Sequence, residues 1–451
     1  MIRSVAVTRT SANCWAAVLL AAIASSLGQP LSHPPTPSPV PGDSLTQKLS
    51  LAEAQRIAFQ RNWDLLAAKS GIDFATAQLL VSKEFPNPTI SWTTFKIDPR
   101  GNNTPLGNSI WDRSYDTILS VNQLVEIGGK RRDRQTSARA GIDGARARFL
   151  DARRSLDQGI TKAYVATLLA EENARVLGES ATSLRREAEI AETRFKAGDI
   201  SDSDRKQIEN NADVFDLQAR SAEATAVQAR ISVEILMGVQ NPKGVWAPED
   251  SLEKLGLIFP PNESGTNGGA RPDVLAAEAD LRKSQADLAL QKAIRLPDPS
   301  FTLVYERNPP GPPGPDTLGL GVSFPLPLWN HNRGNIRAAE AVKEQSALAA
   351  EKLRAQAQAD VVNAEVAYRE AQQRLQRYRD QIGPRSANVR ESVAFAYSKG
   401  GASLVDLLTA ERDDNAVRLA TAQSLSDTAS AAADLKAART LVTENDLKQI
   451  P

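Results

Sequence analysis

Hydroxyls and carboxylates gather behind glycine at two places in this chain. One is Gly198-Asp199-Ile200-Ser201, followed by Asp202 and Asp204. The other is Gly400-Gly401-Ala402-Ser403, followed by Asp406. Glycine supplies the left-handed backbone that ends a helix. A serine two or three residues later can cap the next helix, and an early aspartate suits its positive end. The pattern thus predicts two tight turns between helices.

Other chemistry lacks parts. The histidines are His33 and His331, and Met237 is the one methionine beyond the start. None of these forms a cluster with metal-ligand spacing. There is no nucleophile elbow, no phosphate-binding loop and no pair of ligands one turn apart on a helix. The Gly/Pro/Asn-rich stretches 101–107 and 309–315 read as hairpin tips. Lys+Arg and Asp+Glu number 54 each, so net charge is zero and no nucleic-acid footprint appears. Mean hydropathy is −0.35, which excludes a bundle of membrane-spanning helices. The composition predicts neither an enzyme nor a cofactor.

The elements that carry the two turns repeat. Phe85-Pro86-Asn87-Pro88-Thr89-Ile90 matches Leu296-Pro297-Asp298-Pro299-Ser300-Phe301. Residues 195–201 match 397–403, with Tyr164 and Tyr368 between the marks in similar Ala-rich runs. Each half reads as helix, hairpin, very long helix, tight turn, helix. Residues 128–196 hold no proline and are rich in good helix formers, and would span roughly 100 Å at ~1.5 Å per residue. Residues 51–84 and 202–237 are expected as two shorter helices stacked end to end beside it. Residues 332–399 repeat the long helix, with a kink expected at Gly383-Pro384; 272–294 and 403–439 are its partners. Apolar side chains form narrow, Ala-rich stripes, as in coiled-coil seams rather than a thick core.

Between the helices the pattern changes to period two. Tyr115, Leu119 and Val121 share one face of the second strand. Phe301, Leu303 and Tyr305 share one face of the third, and Leu320, Val322 and Phe324 one face of the fourth. Ile90 and Trp92 begin a weaker first strand whose alternation slips near Phe95. The opposite faces are small or polar. Strands of this length, apolar on one side, suit lipid outside and water inside; half-buried hairpins of a soluble protein are the alternative. Only a closed barrel satisfies backbone groups in lipid, and four strands cannot close. A barrel must therefore be shared, between two copies or three.

The start of the chain reads as an export signal, residues 1–28. Arg3 and Arg9 precede the apolar run from Cys14 to Ala24, which is too short to span a bilayer. Both Ala22-Ile23-Ala24 and Ser26-Leu27-Gly28 offer small-residue cleavage sites. Cys14, the only cysteine, sits at the front of the run and reads as part of the signal rather than a lipid anchor. A Pro-rich spacer, 29–48, follows. The remainder divides into a first repeat (49–238), a linker (239–270), a second repeat (271–440) and a tail (441–451).

The run Gln123-Leu124-Val125-Glu126-Ile127-Gly128-Gly129-Lys130-Arg131, its counterpart Pro325-Leu326-Pro327-Leu328-Trp329-Asn330, the FPNP and LPDP marks and the two glycine turns resemble the TolC-like outer-membrane efflux factors. Within these the chain is similar to the cobalt-zinc-cadmium resistance type. The resemblance covers residues 49–439. It implies a mainly α fold with a small β part: a trimeric twelve-stranded outer-membrane β-barrel on a long α-helical periplasmic barrel. It implies a homotrimer, outer-membrane lipid around the barrel, a periplasmic adaptor and an inner-membrane resistance-nodulation-division pump. The linker and tail would form an equatorial belt. Gly198, Asp199, Ser201, Asp204, Gly400, Gly401, Ser403 and Asp406 would line the periplasmic entrance and meet the adaptor, with Asp406 in an acidic ring; Thr409 stands where some members carry a second carboxylate. The expected function is passive efflux of divalent heavy-metal cations. Drug efflux, protein secretion on the same fold, and a soluble periplasmic coiled-coil adaptor are the alternatives.

Overall fold

The computed structural model describes residues 48–95, 116–258, 269–307 and 316–450. The expected signal, all but the last residue of the spacer, His33, Tyr115, both expected hairpin tips and residues 259–268 of the linker lie outside the described residues.

The long first helix forms as its composition predicts. It is α3, Lys130–Ala197, 68 residues, or roughly 100 Å at ~1.5 Å per residue. After the turn comes α4, Asp202–Leu236. The stretch expected as one helix before the hairpin is two, α1 (Leu51–Arg61) and α2 (Trp63–Lys83). Asn62 breaks it. Its backbone is extended at φ −60°, ψ 126°, and its side chain accepts from the Leu65 amide. Its amide nitrogen also donates to the Leu236 carbonyl at 3.0 Å. That bond places the α1/α2 junction against the end of α4. The two shorter helices thus meet end to end beside α3, as the length arithmetic requires. Gly238 (φ 76°) closes the same junction, where an added Cβ would strike the Arg61 carbonyl.

The second half repeats the plan. Helix α6, Pro272–Ala293, precedes its hairpin and α9, Leu404–Ala438, ends it; the short α5, Leu252–Ile258, lies in the linker. The long element is α7, Arg333–Arg377, then a π turn, Tyr378–Ile382, then α8, Gly383–Ser398. The kink expected at Gly383-Pro384 is met by this turn. Gly383 donates to the Tyr378 carbonyl, five residues back. The widened turn takes in the proline without breaking the helix.

Packing is small-residue packing. Ala181, Leu184, Ala212, Phe215 and Ala219 join α3 to α4; Tyr368, Ala371, Ala431, Ala432 and Leu435 join α7 to α9. Alanine lets helix axes approach closely along a narrow seam. At mid-length the chain's irregular pieces tie onto α3. Strand β1 (Lys48–Leu49) pairs with β4 (Ala247–Pro248). The buried Tyr164 stacks on Trp246 at 5.9 Å and donates to the Leu49 carbonyl at 2.7 Å. Ala270 pairs with Val442, just before α10, Glu444–Lys448.

The remaining strands, β2 (Thr89–Phe95), β3 (Asp116–Leu124), β5 (Ser300–Arg307) and β6 (Thr317–Ser323), form one antiparallel sheet in the order β2-β3-β5-β6. Both hairpins therefore join one sheet, through β3 and β5.

Candidate functional site

Register decides what the sheet presents. Val121 stands opposite both Ile90 and Leu303, and Leu119 opposite Trp92 and Tyr305. Phe301, Leu303 and Tyr305 stand opposite Val322, Leu320 and Leu318. Opposed residues share a face, so these ten side chains make one continuous apolar surface. All are exposed, Leu320 by 87%. Phe324 shares the alternation but lies one residue beyond β6.

The reverse face is polar. Ser91 and Ser120 hydroxyls lie 2.6 Å apart, and Asn122 donates to Thr302 at 2.7 Å. Gly319 and Gly321 complete it, with Ile118 and Val304 as its apolar members. Among the described residues no helix is long and apolar enough to cross a membrane. An apolar sheet face with both edge strands unpaired in one chain suits a barrel wall completed by other copies.

The sheet is mounted on the helices by the run at 123–131. Lys130 is buried; its ammonium lies 2.7 Å from Asp298 and donates to the Leu296 carbonyl at 2.6 Å. The Ile127 amide also donates to Asp298, and the Val125 amide to the Pro299 carbonyl, both at 2.9 Å. Gln123 reaches back to the Pro86 carbonyl, and Arg131 donates to the Lys83 carbonyl while lying 4.0 Å over the Phe85 ring. Glu126 and Arg134 form a two-pronged pair. The first-half run therefore clasps the LPDP mark, while its ends hold the FPNP mark. His331, in the second-half junction, is exposed.

At the far ends of the long helices both glycine turns form. Gly198 (φ 83°) and Gly400 (φ 73°) take the left-handed backbone. Asp199 donates its amide to the Arg194 carbonyl at 2.9 Å, and Gly401 to that of Ala396 at 2.8 Å. Ser201 and Ser403 accept from the amides of Asp204 and Asp406. The turns lie at the same end of the bundle, since Arg194 sits 5.8 Å over the Tyr397 ring.

Side-chain bonding then differs between them. Asp406 returns the cap, accepting from the Ser403 amide at 3.0 Å and hydroxyl at 2.7 Å. These bonds hold its exposed carboxyl below the usual carboxylate range. Asp204 makes no such return bond; the Ser201 hydroxyl lies 2.7 Å from that of Ser203 instead. Arg205 takes the coupling role there, pairing with Asp202, Glu192 and Glu209. Bonds from Lys206 and Arg205 hold the Asp202 carboxyl down.

Sequence reading missed a second acidic group. Glu411 and Asp414, one and two turns beyond Asp406 on α9, face Arg390 of α8 at 3.7 and 3.3 Å. Burial pushes the Glu411 carboxyl up. It borders a cavity of about 210 Å³ with Glu187, Arg194 and Tyr397. The spacing on α9 was visible, but the partner on α8 was not. Among the described residues no group of three or more His, Cys, Asp or Glu could hold a metal ion.

Comparisons with known proteins agree with this architecture. The cobalt-zinc-cadmium resistance protein CzcC of Cupriavidus metallidurans is 25% identical over 291 residues, 64% of this chain; the match covers 66% of CzcC, just under two thirds of its length. The crystal structures of CusC, which concern transmembrane channel formation, superpose with TM-score 0.68 at 16% identity, covering 90% of this chain and 98% of that one. The open-state MtrE outer membrane channel of Neisseria gonorrhoeae gives TM-score 0.68 at 20% identity, covering 86% and 88%. The family described as outer membrane efflux protein matches residues 55–239 and 269–439. The chain belongs to that family, the outer membrane efflux proteins, and it has the fold of those outer-membrane channels.

Proposed function

We propose that three copies of this chain build a passive duct that releases divalent heavy-metal cations across the outer membrane. The apolar sheet face carries the reading. It is one continuous exposed surface backed by a hydroxyl and glycine face, and four strands per copy would give a twelve-stranded barrel with lipid outside and water inside. The helices extend the duct into the periplasm. Residues 239–270 and 441–451 belt it at mid-length, and the two repeats, 49–238 and 271–440, form its wall. The turns at Gly198, Asp199, Ser201 and Asp204, and at Gly400, Gly401, Ser403 and Asp406, make the entrance, where a periplasmic adaptor and a resistance-nodulation-division pump deliver cargo. Likeness to the cobalt-zinc-cadmium resistance protein supports metal as that cargo. The duct is a conduit and carries out no chemistry on what it passes.

Deleting the gene and challenging the strain with cobalt, zinc, cadmium, dyes and antibiotics tests the cargo. Metal sensitivity, restored by the intact chain, is the expected result. Sensitisation to dyes and antibiotics with unchanged metal tolerance would overturn the metal assignment and leave the duct standing.

A further inference from the structure

The two junctions between sheet and long helix are unequal in a single chain. After β3, the run at 123–131 is tied down: Lys130 holds Asp298 and the Leu296 carbonyl, and the Ile127 amide holds Asp298. After β6, the counterpart run at 324–331 is exposed throughout, with Trp329 exposed by 91%. Arg333, the first residue of α7, has no polar partner among the described residues, and neither has Asn87.

Strand alternation explains the inequality. Neighbouring strands run antiparallel, so the exit of β3 lies beside the entry of β5. The exit of β6 lies at the free edge of the sheet. In a closed barrel that edge meets the free edge of another copy, which is β2. What would stand beside the exit of β6 is then the FPNP entry of the next copy.

The duplication supplies the register. Thr89 pairs with Asn122 in the first hairpin, and its counterpart Ser300 pairs with Ser323 in the second. Asn122 and Ser323 are thus equivalent positions. Asn122 stands opposite Thr302, and the equivalent of Thr302 in the first half is Ser91. Leu119 stands opposite Tyr305, and the equivalent positions are Leu320 and Thr94. Shifted by one repeat, the β3–β5 junction becomes a β6–β2 junction between copies. Ser323 falls opposite Ser91, and Leu320 opposite Thr94. Both pairs keep to their own face of the sheet, as alternation demands.

The clasp shifts with it. Lys130 opens α3 as Arg333 opens α7, after a left-handed residue in each case, Gly129 and Asn332. Asp298 and Leu296 correspond to Asn87 and Phe85. We propose that residues 324–333 of one copy clasp the Phe85–Pro88 entry of the next, with the Arg333 guanidinium donating to the Asn87 side-chain oxygen and the Phe85 carbonyl, and with Ser323 registered on Ser91. The inference rests on the shared-barrel reading. It adds which surface of a second copy fits and in what alignment.

Cysteine pairs test it, in the full chain extracted from outer membranes with Cys14 replaced by Ala. Ser91→Cys with Ser323→Cys, and separately Thr94→Cys with Leu320→Cys, should bond under mild oxidant into covalent dimers and trimers. In one chain β2 and β6 are separated by two strands, roughly 14 Å, so neither bond can form within a copy. Ser91→Cys with Val322→Cys puts the thiols on opposite faces and should stay unlinked. Arg333→Ala and Asn87→Ala should each lower trimer recovery in detergent, and the double variant no further than the worse single one. A trimer by light scattering in which only the shifted pair bonds, or neither registered pair does, overturns this inference alone. A monomer overturns the shared barrel and the inference together.

Discussion

The two glycine turns share a backbone and differ in what fastens it. At Gly198 the bonding is between charged side chains, with Arg205 reaching Glu192 across the hairpin and Asp202 and Glu209 along its own helix. At Gly400 it is a closed local ring between Ser403 and Asp406, and the tie across the hairpin lies higher, from Arg390 to Glu411 and Asp414. The first tip is stapled at its end. The second is capped at its end and stapled one to two turns above. An opening motion that splays helices would meet resistance at the tip in one hairpin and above it in the other.

Removing the upper staple should have the largest effect. Asp414 is only 5% exposed, so Arg390→Ala leaves a nearly buried carboxylate without its cation. A loss on the order of 2–3 kcal/mol is expected in denaturant melts of the detergent-solubilised channel. A loss no larger than that from an exposed arginine such as Arg132 would show that the second hairpin is not fastened there.

Next come the glycines, which should behave alike. Neither Gly198 nor Gly400 has an atom within 4 Å of where a Cβ would stand, so packing costs nothing. Each Gly→Ala change pays only for the left-handed backbone, about 1 kcal/mol. Equal losses measured by the same melts would confine the difference between turns to side chains. Unequal losses would mean the backbones are not equivalent.

Much of this was legible in the sequence, for local reasons. Strand faces follow from period-two alternation, and the register kept them intact from Ile90 to Val322. The long helix follows from a proline-free run, and the turns from glycine before serine. What escaped depends on distant partners. Asn62 breaks a helical pattern without proline or glycine nearby, and part of what holds it is the carbonyl of Leu236. Lys130 reads as the end of a motif, but its partner is Asp298 in the other half. Arg390 and Asp414 lie on separate helices whose relative rotation no periodicity states. The Ser403–Asp406 cap, by contrast, was a three-residue spacing in plain view, and glycine before serine already marked Ser403 as the cap of the next helix.

An overlap of roles sets the smallest effect and the sharpest test. Asp406 is expected both to cap α9 and to charge the entrance, and one substitution can separate these roles. Asp406→Asn keeps an oxygen able to accept from the Ser403 amide and hydroxyl but removes the charge. Asp406→Ala removes both. In the folded chain the Asp406 carboxyl titrates below its ordinary value, because the Ser403 bonds favour its ionised form. Its contribution is therefore complete above the unfolded value, about pH 4, and is lost as pH falls through the lower folded value. Acid titration of melting should show a smaller loss in Asp406→Asn than in the native chain, because Asp202 and other paired carboxylates titrate in both. In planar bilayers both variants should weaken divalent-cation block of the channel to the same degree if charge is what acts at the entrance. Block that survives in Asp406→Asn but fails in Asp406→Ala would assign the residue to the cap alone, and the two turns would then differ in fastening but not in function.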